Sequence, residues 1–199
     1  MRLNELASKY NTDKKIPNGI KCKNGLLGHG YTTQYESIIS KREINCLLEI
    51  GVSFGDSIRM WDEYFGGNCD ITGVDIEEKR FKKINLETKN IRIKIGDQSD
   101  VKFLKTLADK SYDLIIDDGS HIDEHQLISF KHLFNCLKPK GIYIIEDLHV
   151  QKGIKTKELF KHFEFEGKLN NPYFLDFNTE EIEKVDFLEK DKLCVIYKK

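Results

Sequence analysis

Five short apolar runs, each closing on a glycine or an acid and four of them followed by a helix-like segment, govern what this chain can fold into. Ile44–Ile50 ends at Gly51, Ile71–Val74 at Asp75, Ile91–Ile95 at Gly96-Asp97, Tyr112–Ile116 at Asp117-Asp118 and Ile142–Ile145 at Glu146-Asp147. Most of the runs show no clean polar–apolar alternation, which is the pattern of strands covered on both faces. Strand and helix in strict turn predict a parallel sheet with right-handed crossovers, a doubly wound α/β fold. After Pro172 the rhythm changes. Lys184–Leu188 and Leu193–Tyr197 flank Glu189-Lys-Asp-Lys192, which predicts an antiparallel hairpin. The expectation is seven strands, mostly parallel, with that hairpin last.

The intervening helices are expected near Asp56–Phe65, Glu77–Leu86, Val101–Ala108 and Asp123–Leu137, with Ser99 or Asp100 capping the third. Residues 1–43 read as an N-terminal arm or lid with short helices over Asn4–Tyr10 and Thr33–Ser40, and 44–199 as the main domain. Lysine plus arginine number 32 against 33 acids, so a nucleic-acid ligand held by a broad basic surface is not expected. No stretch approaches 18 apolar residues, so no membrane partner is expected. Five scattered cysteines without a C-x-x-C read as free thiols, with Cys46, Cys136 and Cys194 buried. The cytoplasm is the default location.

The first strand-to-helix turn is Glu49-Ile-Gly51-Val-Ser53-Phe-Gly55. Glycines there allow a sharp turn and a close backbone approach to a ligand, and the helix start offers free N–H groups. The spacing is neither G-x-G-x-x-G nor a phosphate-binding loop ending in Gly-Lys-Ser/Thr. It formally matches a G-x-S-x-G nucleophile elbow, but Ser53 occupies the first βα turn and so is not read as a nucleophile. Asp75, 24 residues after Gly51, is placed to accept hydrogen bonds from ribose hydroxyls. Asp97, or the backbone of Gln98, is placed at an adenine edge. Helix or turn capping competes as the reading of both acids. Glu49, Gly51, Ser53, Gly55, Asp75, Asp97, Gln98 and Asp117 form the candidate cofactor set.

Asp117-Asp118-Gly119-Ser120-His121 and Glu146-Asp147 close two neighbouring strands, and parallel strands would open both ends onto one crevice. Uncompensated carboxylates that close repel, and a divalent cation removes the repulsion. Oxygen ligands select magnesium, calcium or manganese. Asp118, Glu146 and Asp147 are the candidate ligands, with helix capping plus contact with a Lys or Arg of the N-terminal arm as the competing reading. His121 is the candidate general base, because its pKa suits neutral pH and the acids can orient it. His149, two residues past Asp147, is the reserve base.

These blocks make the chain similar to class I S-adenosylmethionine-dependent methyltransferases of Rossmann-like fold. The resemblance spans roughly residues 44–199 and rests on Glu49–Gly55, Asp75, Gly96-Asp97-Gln98, Lys138-Pro-Lys-Gly141 and the late hairpin. Asp118–His121, Ile145-Glu-Asp-Leu148, Gly30-Tyr31-Thr32-x-x-Tyr35-Glu36 and Asn11-Thr-Asp-Lys14 narrow it to metal-dependent macrolide sugar O-methyltransferases of the mycinamicin and macrocin type. The resemblance implies that Gly51 and Gly55 approach the methionyl part of the cofactor. It implies ribose at Asp75, adenine at Asp97 and Gln98, Mg²⁺ at Asp118, Glu146 and Asp147, and proton acceptance by His121. The acceptor it implies is a hydroxyl of a sugar or other small polar natural-product or surface-glycan precursor, as in polysaccharide biosynthesis, with homo-oligomer formation left open. An amine or phosphoramidate acceptor would change the substrate and not the cofactor. An NAD-dependent oxidoreductase shares the sheet and Asp75 but needs the missing G-x-G-x-x-G. A non-catalytic nucleoside-cofactor-binding domain has no use for the paired carboxylates and His121.

Overall fold

A computed structural model describes residues 2–80, 88–148, 155–169, 171–190 and 192–199. Seven strands form one sheet in the order β3-β2-β1-β4-β5-β7-β6. Their ranges are Cys46–Ile50 (β1), Asp70–Asp75 (β2), Ile91–Ile95 (β3), Tyr112–Asp117 (β4), Leu137–Ile145 (β5), Ile182–Leu188 (β6) and Leu193–Lys198 (β7). Within the described pairings β1, β2 and β3 run parallel, as do β4 and β5, and β7 runs antiparallel to both β5 and β6. The expected Rossmann-like sheet with a terminal antiparallel hairpin is therefore present. The chain divides into two compact units, Met1–Ile95 and Gly96–Lys199.

In the first unit β1 is buried along its whole length, as its unalternating sequence requires. Helix α1 (Arg2–Tyr10) buries Leu3, Leu6 and Ala7, a stripe at helical spacing that packs on α3 (Asp56–Tyr64). Helix α2 (Thr32–Ile39) buries Tyr35, whose ring meets Trp61 of α3 edge-on at 5.1 Å. The segment between α1 and α2, read from sequence as irregular arm, is an ordered loop. Its two limbs are joined by backbone hydrogen bonds from His29 N to Asp13 O (2.6 Å), Gly30 N to Lys15 O (2.9 Å) and Thr32 N to Lys14 O (3.1 Å). Gly28 belongs there because a Cβ would lie 2.5 Å from the Lys15 carbonyl oxygen. Of the helix expected over Glu77–Leu86, a 3₁₀ turn at Glu78–Arg80 is seen, and residues 81–87 lie outside the described residues.

In the second unit α4 (Val101–Lys105) is shorter than expected and begins at Asp100, whose carboxylate accepts from Lys102 N at 2.8 Å. Helix α5 (Asp123–Leu133) stops four residues before the expected Leu137, giving way to a 3₁₀ turn over Phe134–Cys136. Strand β5 starts at Leu137 rather than Ile142, through a bulge. Helix α6 covers Lys155–Glu166. The core centres on Phe130, which is fully buried and meets the rings of Phe134, Tyr143, Phe160, Phe174 and Phe177. All five cysteines are free, and all but the half-buried Cys136 are buried.

Candidate functional site

Asp75, at the end of β2, ties the first loop together. One carboxylate oxygen accepts from Ser53 N at 2.7 Å and the other from Glu77 N at 2.8 Å. The capping reading of Asp75 is thus realised, and its remaining lone pairs are still available for a hydroxylated ligand. Gly51 N and Val52 N both donate to Val74 O, at 2.8 and 3.2 Å, so the turn after β1 is closed by backbone. Three residues of this loop have left-handed backbone: Gly51 (φ 92°), Ser53 (φ 50°) and Gly55 (φ 74°). Two of the three are glycines, as that conformation favours. Ser53 holds its left-handed position with its N–H bonded to Asp75. Glu49 is fully buried, and burial pushes its carboxyl above the usual range while Lys14, Ser57 and Trp61 pull it back. Ile76, beside Asp75, is 63% exposed, an apolar surface at a strand end that sequence reading overlooked.

The second unit carries the acids and the histidine. Asp97 accepts from both the backbone N–H and the hydroxyl of Ser99, each at 2.8 Å, and these bonds hold its carboxyl below the ordinary carboxylate value. Gln98 is turned inward. Its Nε2 donates to both oxygens of Asp117 (3.1 and 3.2 Å) and to Ser129 Oγ (3.1 Å), and its Oε1 accepts from Ser120 N at 2.6 Å. Its side chain thus anchors the Asp118–His121 loop, and its carbonyl accepts from Ser129 Oγ at 3.4 Å.

Asp117 and Asp118 diverge, as adjacent residues at a strand end must. Asp117 is fully buried, and burial raises its carboxyl to about 6 despite the bonds from Gln98, Gly119 N and Ser129. Asp117 also pushes the phenol of buried Tyr143, which burial has already raised, further up. Asp118 instead joins His121 and Asp147. One ligand atom from each of these three lies within 4.8 Å of the others. His121 Nε2 is 3.8 Å from Asp147 Oδ2. Both residues occupy left-handed backbone, His121 at φ 56° and Asp147 at φ 57°, and strain of this kind is held in place where a side chain must point one way. Glu146 is buried at 1% exposure and stands outside that three-residue group. Its N–H donates to Asp117 O, and its carbonyl accepts from Gln126 Nε2. Ser120 Oγ pairs with His125 Nδ1 at 3.0 Å, so His125 braces the loop. His149 lies outside the described residues. Gln126, Ser129 and Tyr143 support the site without any spacing in the sequence that would have revealed them.

Two carboxylates and an imidazole at this separation fit a small hard cation. The carboxylates repel unless a positive charge lies between them, and oxygen donors dominate the set. The cluster sits at the ends of β4 and β5, where ligands bind in open α/β sheets.

Residues 48–148 match the family model described as a methyltransferase domain. Demethylmacrocin O-methyltransferase of Streptomyces fradiae is 38% identical over 157 residues, which is 73% of this chain and 36% of that protein. Mycinamicin VI 2''-O-methyltransferase of Micromonospora griseorubida is 36% identical over 157 residues, again 73% and 36%. The solved structure of the mycinamycin-pathway methyltransferase MycE in complex with Mg and SAH superposes with a TM-score of 0.78 at 26% identity, covering 100% of this chain and 55% of that one. The chain spans about a third of the length of the curated relatives it matches. The glycine loop, the strand-end acids and these matches agree: the chain belongs to the methyltransferase-domain family, as a class I S-adenosylmethionine-dependent member related to the macrocin- and mycinamicin-type sugar O-methyltransferases.

Proposed function

We propose that the chain transfers a methyl group from S-adenosylmethionine to a hydroxyl of a sugar carried by a small, polar natural product, with the help of Mg²⁺. The observation that carries this reading is the Asp118, His121 and Asp147 cluster, set at two strand ends of a methyltransferase fold. The relatives named above are O-methyltransferases of demethylmacrocin and of mycinamicin VI, and their names support a hydroxylated acceptor.

On this reading the cofactor supplies an electrophilic methyl on a sulfonium, and Asp118 and Asp147, with Glu146 next to Asp147 in the chain as the third proposed ligand, would hold a divalent cation that would acidify a bound hydroxyl, while His121 stays out of the ligand set and keeps its ring for the proton. Everything else falls to the chain. The Gly51–Gly55 backbone approaches the methionyl part, and Asp75 accepts from the ribose while its other bonds keep the loop shaped. Ile76 offers an apolar face, and Asp97 with the Gln98 backbone meets the adenine edge. Asp117 acts from beneath, through Gln98, on the loop that carries His121. His121 takes the acceptor's proton, and Asp147 stabilises the imidazolium that results. Fixing the acceptor oxygen, the base and the methyl donor in one geometry supplies much of the rate. Five free thiols support a reducing workplace, and on that ground we assign the cytoplasm.

The test is transfer of labelled methyl from S-adenosylmethionine to deoxysugar glycosides, with and without chelator. Transfer that needs Mg²⁺ and is lost in Asp118→Asn supports the reading. Full turnover in chelator, or in that variant, refutes the metal's part.

A further inference from the structure

Lys14 and Lys15, next to each other in the loop between α1 and α2, are each only 1% exposed. Burying an ammonium is costly unless it is compensated. Lys15 is satisfied locally, donating from Nζ to Asn11 Oδ1 at 2.6 Å and to the Ile20 carbonyl at 2.8 Å. Lys14 reaches out of the loop. Its Nζ lies 3.4 Å from Glu49 Oε1, with side-chain exposures of 1% and 0%.

Glu49 is the penultimate residue of β1, two positions before Gly51. Neither of its carboxylate oxygens has a hydrogen bond of full geometry; Ser57 and Trp61 are neutral neighbours that favour the charged form, and Lys14 is the cation paired with it. Lys14 is itself fixed by the loop's closure, since its carbonyl accepts from Thr32 N and its N–H donates to Thr12 Oγ1 at 3.4 Å. A chain of contacts therefore runs from the closed loop, through one buried ion pair, to the start of the glycine turn. A buried pair of this kind contributes little net stability, yet removing one member strands the other. Such a pair is poorly suited to bracing the fold and well suited to fixing one geometry.

We propose that Lys14 is a positioning residue for cofactor binding: through Glu49 it fixes the end of β1 and the Gly51 turn, so that closure of the loop before α2 and occupation of the cofactor loop are coupled. This inference rests on the cofactor reading above. Lys14 need touch no ligand for this. A chain lacking its charge holds a buried, uncompensated Glu49 beside the turn, and the turn shifts or the carboxyl takes up a proton.

The test is isothermal titration of the full chain with S-adenosylhomocysteine, on wild type, Lys14→Met, Lys14→Arg, Glu49→Gln and the double variant Lys14→Met/Glu49→Gln, with ligand-free melts alongside. Lys14→Met and Glu49→Gln are each expected to weaken binding about tenfold. The double variant should lose no more than the worse single one, because the pair acts as a unit. Lys14→Arg should stay within about threefold of wild type, since it keeps the charge. A lowered melting temperature with wild-type affinity in Lys14→Met would make the pair a fold brace and overturn the proposal. Losses that multiply in the double variant would do the same. If Lys14→Met does not fold, the double variant, which buries no charge at either position, decides: wild-type affinity there overturns the proposal. A wild-type chain that takes up no S-adenosylhomocysteine overturns the cofactor reading together with the inference, whereas binding indifferent to all four variants overturns the inference alone.

Discussion

At the residue scale, His121 and Asp147 reached their positions at a cost. Left-handed backbone at a residue other than glycine is unfavourable by roughly 1 kcal/mol or more, and here two such residues face each other at 3.8 Å between side-chain atoms. If His121 is the base, His121→Ala should lower kcat about a hundredfold or more while leaving S-adenosylhomocysteine affinity unchanged, as steady-state kinetics and titration would show. Unchanged kcat would remove it from the mechanism. Asp117 gives a second, independent prediction. Its carboxyl titrates at about 6 in the folded chain against 3.8 for the ordinary group. The folded state therefore binds the proton more tightly than the unfolded one. The stability this adds is fully present below pH ~3.8 and is lost as pH rises through about 6. Measured against Asp117→Asn in chelated, metal-free buffer, wild type should lose on the order of 2–3 kcal/mol across that window in denaturant titrations. Parallel profiles would contradict it.

The individual acids were legible in sequence because each closes an apolar run. What they touch was not. Asp117 and Asp118 are neighbours in the chain, yet one is buried beneath Gln98 and Ser129 and the other joins His121 and Asp147. Strand alternation predicts the divergence without saying which residue takes which side. The inward turn of Gln98 depends on Ser129, 31 residues away, and no local spacing records that bond.

At the scale of elements, the β-α rhythm located β1 to β5 and the late hairpin signature located β6 and β7, and the errors fall where two signals overlap. The apolar stripe Leu127, Phe130, Leu133, Phe134, Leu137 reads as one helix. Phe134 is buried all the same on a 3₁₀ turn, and Leu137 opens β5, so burial persists after the α-helix has ended. Lys138-Pro-Lys-Gly141 reads as a break and is a bulge inside β5. Between paired positions β4 advances two residues, from Tyr112 to Leu114, while β5 advances five, from Leu137 to Ile142, with Lys140 at φ 63°. The three surplus residues lack a place in the ladder, which is what a proline and a left-handed residue signal. Two stability predictions belong here. Phe130→Ala removes the hub of the aromatic core and should cost about 3–5 kcal/mol in denaturant melts; a change under 1 kcal/mol would mean the core collapses around it. Gly96, just after β3, has no room for a side chain, since a Cβ would lie 2.3 Å from the Phe103 ring. Gly96→Ala should therefore destabilise by about 1–3 kcal/mol unless that ring swings away, and a melting temperature equal to wild type would show that it does.

At the scale of the whole molecule, the matched family region, residues 48–148, runs from the end of β1 to just past Asp147 and so includes the main-domain residues assigned to cofactor and cation. The loop before α2 lies outside that region and supplies Lys14 to Glu49. Among the described residues no helix is long and apolar enough to cross a membrane. The fold and the class of chemistry were legible because strand-end glycines and acids are local signals. The acceptor was not, because no comparable local signal in the sequence names the molecule that is methylated. The most direct test of the account does not need the acceptor. It is isothermal titration with S-adenosylhomocysteine in the presence of Mg²⁺, with NAD as the control ligand. One saturable site per chain is expected for S-adenosylhomocysteine, weakened in Asp75→Ala, with no heat from NAD. Binding of NAD with none of S-adenosylhomocysteine would contradict it.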